Sequence, residues 1–166
     1  LKSQGELSKM IAKAERQVAA APKSMKLMEA LAELYDANGD MEKMIAVVQR
    51  MAKTRPKDGR LHYRIANSYF QRGRFKLGIK HLPVVWKYSP EVLLQNSYSV
   101  GRYYQQAGQL ATLAKHLKSL QGKSVLQRYG YQLSSFVSNL QNNRGSKEDV
   151  IKLYEVAVDV IPPAMK

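Results

Sequence analysis

Three residue types recur in this chain at one interval. Pro22, Pro56 and Pro90 lie 34 residues apart, and so do Tyr35, Tyr69 and Tyr103. Gly39, Gly73, Gly108 and Gly145 follow at spacings of 34, 35 and 37. A single recurring pair would carry little weight, but three residue types on one spacing constrain the fold strongly. Each repeat of this length is a supersecondary unit that cannot bury its apolar face alone. Its neighbours must do so, which makes the chain an array rather than a globule with one central core.

Between these marks the apolar residues follow helical spacing. Leu27, Met28, Leu31, Leu34 and Tyr35 obey the i, i+3, i+4, i+7 rule, and Met44, Val47, Val48 and Met51 do the same beyond Gly39. Glycine follows the first helix of each unit and proline the second, which are the places where these residues end helices at least cost. The pattern predicts helices near 4–20, 24–37, 41–54, 59–72, 75–88, 91–107, 109–121, 124–142 and 147–160, with weak strand signals throughout. Pro83 falls inside one of these helices, where its missing N–H should produce a kink, and Gly78 loosens the same segment.

Set out from Met25, the repeat places Met28, Leu31, Ala32, Tyr35, Met44, Val48 and Pro56 at its key positions. Set out from Gly59, it places His62, Ile65, Ala66, Tyr69, Gly78, Leu82 and Pro90 there. A third unit from Leu94, one residue late, gives Ser97, Val100, Gly101, Tyr104, Leu113 and Leu117 but no closing proline. This pattern resembles the tetratricopeptide repeat. The resemblance is strong over 24–90 and weaker elsewhere: Gly145, Val150, Tyr154, Ala157 and Pro162 fit a degenerate last unit that has Gln141 where tyrosine is expected. Met10, Ala14 and Pro22 look like the second helix of a repeat whose first helix is missing.

The resemblance implies an all-α, right-handed α-solenoid of antiparallel helix pairs, in a single domain over 1–166. It divides into a partial repeat at 1–23, repeats near 24–57, 58–91 and 92–123, and the degenerate unit at 124–163. Small residues at Ala32, Ala66 and Gly101 allow the paired helices to approach closely. The chain opens on Leu1 rather than methionine, so it is expected to be a piece of a longer protein. An array opening on half a repeat is expected to expose an apolar end face and to self-associate end to end, or to be covered by a flanking segment.

The formal net charge is +14, and nearly all of it is local. Residues 59–147 contain fourteen lysines and arginines and one acid, Glu91. Such a field attracts acidic protein surfaces, nucleic acid or anionic lipid. Without cysteine there is no disulfide framework and no thiolate metal site, and the compartment stays open. No apolar run approaches the ~20 residues needed to span a bilayer.

Motifs that carry chemistry are few. Asp36, Asn38 and Asp40 imitate the start of a calcium loop, but its sixth position would be Met41 and its twelfth Val47, where glycine and glutamate are required. The plainer reading is a turn, with Asp40 capping the helix that begins at Met41. His81 and His116 occupy near-equivalent second-helix positions and could be neighbours, but no acid stands near to complete a zinc site, and a solvated face suits them better. There is no Ser/His/Asp order, no carboxylate pair and no phosphate-cradling glycine loop; Arg72, Gly73 and Arg74 form a basic turn. No cofactor is implied, and the chain reads as non-catalytic. Trp86, the sole tryptophan, is expected to fill a joint between repeats.

In the tetratricopeptide family the first helices line a concave groove. Carried onto this chain, that surface is Lys26, Glu29, Glu33 and Asp36, then Arg60, Tyr63, Asn67, Phe70 and Gln71. It continues through Gln95, Tyr98, Arg102, Gln105 and Gln106, and ends at Gln132, Ser135 and Asn139. Arginines, amides and aromatics together suit an extended acidic peptide. Co-chaperone members clamp a C-terminal carboxylate with Lys and Asn in their first repeat, where this chain has Glu29 and Glu33; Asn67 alone matches. Binding of heat-shock tails is therefore not expected. The alternatives are RNA binding through the basic region, as in helical repeats of similar length, and a purely structural segment of a longer array.

Overall fold

A computed structural model describes residues 2–126, 128–129, 131–132 and 147–160. Ten helices can be bounded among them: α1 (Lys2–Ala20), α2 (Met25–Ala37), α3 (Met41–Thr54), α4 (Gly59–Phe70) and α5 (Phe75–Ile79), then α6 (Leu82–Tyr88), α7 (Pro90–Gln95), α8 (Ser97–Gln106), α9 (Leu110–Lys118) and α10 (Lys147–Val160). Further helical residues lie at 124–126, 128–129 and 131–132, and no strand occurs among the described residues.

The punctuation works as the spacing implies. Gly39, Gly73 and Gly108 adopt φ of 77°, 69° and 67°, the left-handed turn that a residue with a Cβ enters at a cost. Gly122 adopts the same conformation at φ 74° after α9, so a glycine turn stands where the third repeat lacks its proline. Gly145 and Pro162 lie outside the described residues.

Packing runs from neighbour to neighbour. α1 packs on α2, α2 on α3, α3 on α4, α4 on α5 and α6, α8 on α9, and α9 on α10. The interior divides into two apolar clusters, one from Ile11 to Ile65 and one from Ala66 to Ala157. Their boundary falls between adjacent residues of α4, Ile65 and Ala66, so this helix is a wall shared by two repeats. The architecture is an all-α helical-repeat solenoid.

Two predicted helices are each broken in two. The 75–88 segment ends α5 at Ile79 and restarts as α6 at Leu82. Pro83 cannot donate to the turn before it, so the chain begins a new helix with proline in its first turn, where the missing N–H is harmless. The 91–107 segment breaks at Asn96, whose Nδ2 donates to the Val92 carbonyl at 2.8 Å and so takes the acceptor of a regular helical turn. Gly78 also does more than loosen a helix. A Cβ there would meet the Phe70 ring at 2.3 Å, so the absence of a side chain lets α5 lie against that ring.

Trp86 fills a joint between repeats. It is buried, its Nε1 donates to the Tyr104 hydroxyl at 3.0 Å, and its ring stacks on His116 at 5.7 Å. At the other end of the array, Tyr35 donates its hydroxyl to Glu15 at 2.6 Å and ties α2 to α1. Among the described side chains of α1 the exposed ones are largely polar, with Met10 the exposed large apolar residue.

Candidate functional site

α4 carries the centre of the candidate groove. Arg60, Tyr63, Arg64, Asn67, Phe70 and Gln71 lie along one side of it at three- and four-residue spacing. Asp58 starts the helix by accepting the Arg60 N–H on Oδ1 at 3.2 Å, which fixes Arg60 in the first turn. Arg60 and Gln71 are exposed, while Tyr63 and Asn67 are half-buried. Burial and the neighbouring Tyr103 push the Tyr63 phenol above its usual range.

On one flank of α4 a pocket of about 420 Å³ opens toward α2. Its apolar floor is Met25, Met51 and Leu61, and its charged wall is Lys26, Glu29, Arg55, Asp58, Arg60 and Arg64. Glu29 is not a free acid of the groove: it forms an ion pair and hydrogen bond with Arg64, a residue absent from the predicted surface. Asp58 is engaged in capping α4. Lys26, Arg55 and Arg60 are therefore the cations of this pocket outside the Glu29–Arg64 pair. Glu33 and Asp36 are exposed further along α2.

On the other flank, toward α8, a smaller pocket of about 200 Å³ is lined by Phe70, Phe75, Ser99, Arg102, Tyr103 and Gln106. Phe70 is a correction to the predicted surface. It is 4% exposed, and its ring stacks on Tyr103 with centroids 4.0 Å apart, so it belongs to the core and offers the groove only a pocket wall. Phe75 joins the same stack, 6.1 Å from Tyr103. Tyr103 itself was the residue on the 34-residue spacing, yet Tyr104 takes the fully buried position and Tyr103 turns toward the groove.

In the third repeat Tyr98 is 49% exposed, and the Arg102 guanidinium lies 6.0 Å from its ring centroid. Gln95 is exposed and donates Nε2 to the Tyr129 hydroxyl at 2.9 Å. Gln105 is half-buried and Gln106 exposed. Ser97 donates its hydroxyl to the Gln132 carbonyl at 3.1 Å, which joins α8 to the following helical residues. Ser135 and Asn139 lie outside the described residues.

The remaining motifs are structural. Asp40 occupies the position before α3, but no helix N–H reaches its carboxylate, which accepts from Asn38 Nδ2 at 2.9 Å instead. Arg72 and Arg74 both reach Glu42 of the preceding repeat, at 2.7 and 3.1 Å. The histidines are not on a solvated face and are split between two joints. His81 lies near His62 and Tyr69, at 5.8 and 6.0 Å, while His116 lies near Trp86 and Tyr104. Burial lowers the pKa of all three, and His62 also depresses His81. Among the described residues no cluster of three or more His, Asp or Glu is placed to hold a metal ion, and no helix is long and apolar enough to cross a membrane.

No family model matches the chain, and no curated protein matches it. Among solved structures, the crystal structure of MamA protein is similar to it, with a TM-score of 0.60 at 13% identity over 95% of this chain and 84% of that one. At that identity the likeness speaks to fold, and it supports a tetratricopeptide-like helical array.

Proposed function

We propose that this chain is a non-catalytic protein-interaction scaffold that holds an acidic, carboxylate-bearing peptide segment of a partner across the concave side of α4. The observation that carries this reading is the pocket between α2 and α4, where Lys26, Arg55 and Arg60 surround an apolar floor and Asp58 is the one lining carboxylate outside the Glu29–Arg64 pair, which leaves a net positive wall. Carboxylates that enter meet charge-assisted donors, and the methylenes beside them cover Met25, Met51 and Leu61. Asn67 and Gln71 stand further along the ridge as donors and acceptors for a peptide backbone, and Tyr98 with Arg102 extends the surface into the third repeat. Tetratricopeptide-like arrays of this shape present such a surface as a preformed groove, so little ordering cost falls on the scaffold itself.

The test is a fluorescence-anisotropy titration with a labelled peptide rich in Asp and Glu, beside its Asn/Gln counterpart. The acidic peptide binds and the amide peptide does not, and Arg60→Glu weakens binding at least ~10-fold, equivalent to about 1.4 kcal/mol. Equal binding of both peptides, or of neither, refutes the reading.

A second reading rests on a separate observation. Lys76, Lys80, Lys115 and Lys118 are exposed on the second helices, away from the groove, in a stretch almost without acids. Nucleic acid on that face predicts binding of generic RNA that falls steeply and log-linearly with salt. The same titration with labelled RNA separates the two.

A further inference from the structure

The pocket on the α8 flank has chemistry unlike the first. Its walls are the stacked rings of Phe70, Phe75 and Tyr103, and its rim is Ser99, Arg102 and Gln106. At about 200 Å³ it is smaller than the ~300 Å³ at which sites for drug-sized ligands begin, and its size suits one side chain. Aromatic walls favour an apolar or aromatic occupant, through edge and offset contacts with rings already held in place. We propose that it is a second subsite for the same partner segment, taking an aromatic or large apolar side chain at a fixed distance from the acidic residues held in the first pocket. The inference rests on the groove reading above and adds a sequence rule to it.

The distance follows from helix geometry. The first pocket is walled by Arg60 and Arg64 of α4, and the second by Phe70, so their centres differ by about eight residues, or ~12 Å along the axis at ~1.5 Å per residue. They lie on opposite flanks of the same helix, and adjacent packed helices sit ~8–10 Å apart, so the two clefts are separated sideways by ~10 Å. The diagonal is then ~16 Å, which an extended chain covers in about five residues at ~3.3 Å each. Asn67 lies between the two ends, half-buried on the ridge the peptide would cross. The partner segment therefore has an acidic pair and a bulky apolar residue four to six positions apart.

Labelled synthetic peptides test this directly. Each contains a Glu-Glu pair and one Phe separated by one to nine Ser or Ala residues, in both orders, with a Phe→Ala control for every spacing. Affinity should peak when the pair and the Phe are four to six positions apart, in one of the two orders, at least ~5-fold tighter than the matching control. Ser99→Trp, or Ser99→Phe, plugs the pocket; either one removes the gain from Phe and leaves the control peptides unchanged. Arg60→Glu weakens every peptide alike. Phe peptides that bind like their controls at every spacing, while acidic binding persists, overturn the second subsite alone. Failure of every acidic peptide to bind overturns the groove reading and this inference together.

Discussion

Removing one hydroxyl from the joint between the second and third repeats should destabilise the array measurably. In Tyr104→Phe the ring keeps its place, but Trp86 Nε1 loses the acceptor it meets at 3.0 Å. Tyr104 is 0% and Trp86 4% exposed, so water cannot replace the lost partner without opening the joint. An orphaned buried donor costs about 1–3 kcal/mol, more than the net worth of a typical hydrogen bond, because its desolvation is no longer compensated. His116 stacks flat on the Trp86 ring, with planes 13° apart, and so restricts any rotation by which the indole could seek another acceptor. For a chain of this size the loss corresponds to a fall in Tm of about 2–4 °C per kcal/mol. Trp86 is the sole tryptophan, so its emission follows this joint while far-UV circular dichroism follows the whole array. Stability in such an array sums over neighbours, so the fluorescence transition should move to lower urea at least as far as the dichroism transition. A double-mutant cycle with Trp86→Phe isolates the pair, because the cavity left by the smaller ring cancels. A Tyr104→Phe change that costs less than ~0.5 kcal/mol, or a cycle with no coupling, would refute the account of this joint.

Four further outcomes are expected. Burial holds the pKa of His62, His81 and His116 below the ordinary value of 6.5, so between the folded and unfolded values the unfolded chain binds more protons. Stability is then fully present above about pH 6.5 and declines as the pH falls below it; an unchanged or higher urea midpoint at pH 5.5 than at pH 7.5 contradicts this. Gly78→Ala drives a methyl into the Phe70 ring, which Tyr103 backs at 4.0 Å; the overpacking of about 1–3 kcal/mol should outweigh a helix-propensity gain of about 1 kcal/mol, and a thermal melt at or above the parent value would show that the ring moves freely. Asp40→Ala should cost under ~0.5 kcal/mol, because that carboxylate makes no helix-capping bond, whereas Asp58→Ala should cost about 1 kcal/mol; paired denaturation curves in the reverse order would contradict the caps described. A C-terminal EEVD peptide should bind no more tightly in a calorimetric titration than an internal Glu-Glu peptide with an amidated C-terminus, since Glu29 and Glu33 stand where a clamp for the terminal carboxylate needs Lys and Asn; a clear preference for the free EEVD tail contradicts this.

The local grammar of the chain could be read directly. Glycine in a left-handed turn, small residues at Ala32 and Ala66, and apolar spacing within 24–57 each act on residues a few positions away. Such features depend on backbone sterics and helical periodicity, and these do not change when the neighbours move. Arg60, Tyr98 and Arg102, which the resemblance to the tetratricopeptide repeat assigns to the groove, are exposed.

The site was less legible where two repeats meet. Phe70 reads as a groove residue by count, yet Gly78 admits its ring and Tyr103 covers it. Arg64 reads as an ordinary helix cation, yet it reaches back 35 residues to neutralise Glu29 and so changes which charges remain for a ligand. The histidines read as surface residues because equivalence along the array says nothing of which aromatic ring the next repeat brings over them.

By itself, then, the sequence determined the repeat, its turns and the helical character of the chain, because periodicity and glycine punctuation act over a few residues. Only the tertiary structure decided which aromatics become core, which ring lies over each histidine, and which cations stand outside the Glu29–Arg64 pair in the pocket beside α4. Those outcomes depend on how one repeat's ridges settle into the next, and contacts between residues some thirty positions apart are fixed by that packing rather than by any local pattern.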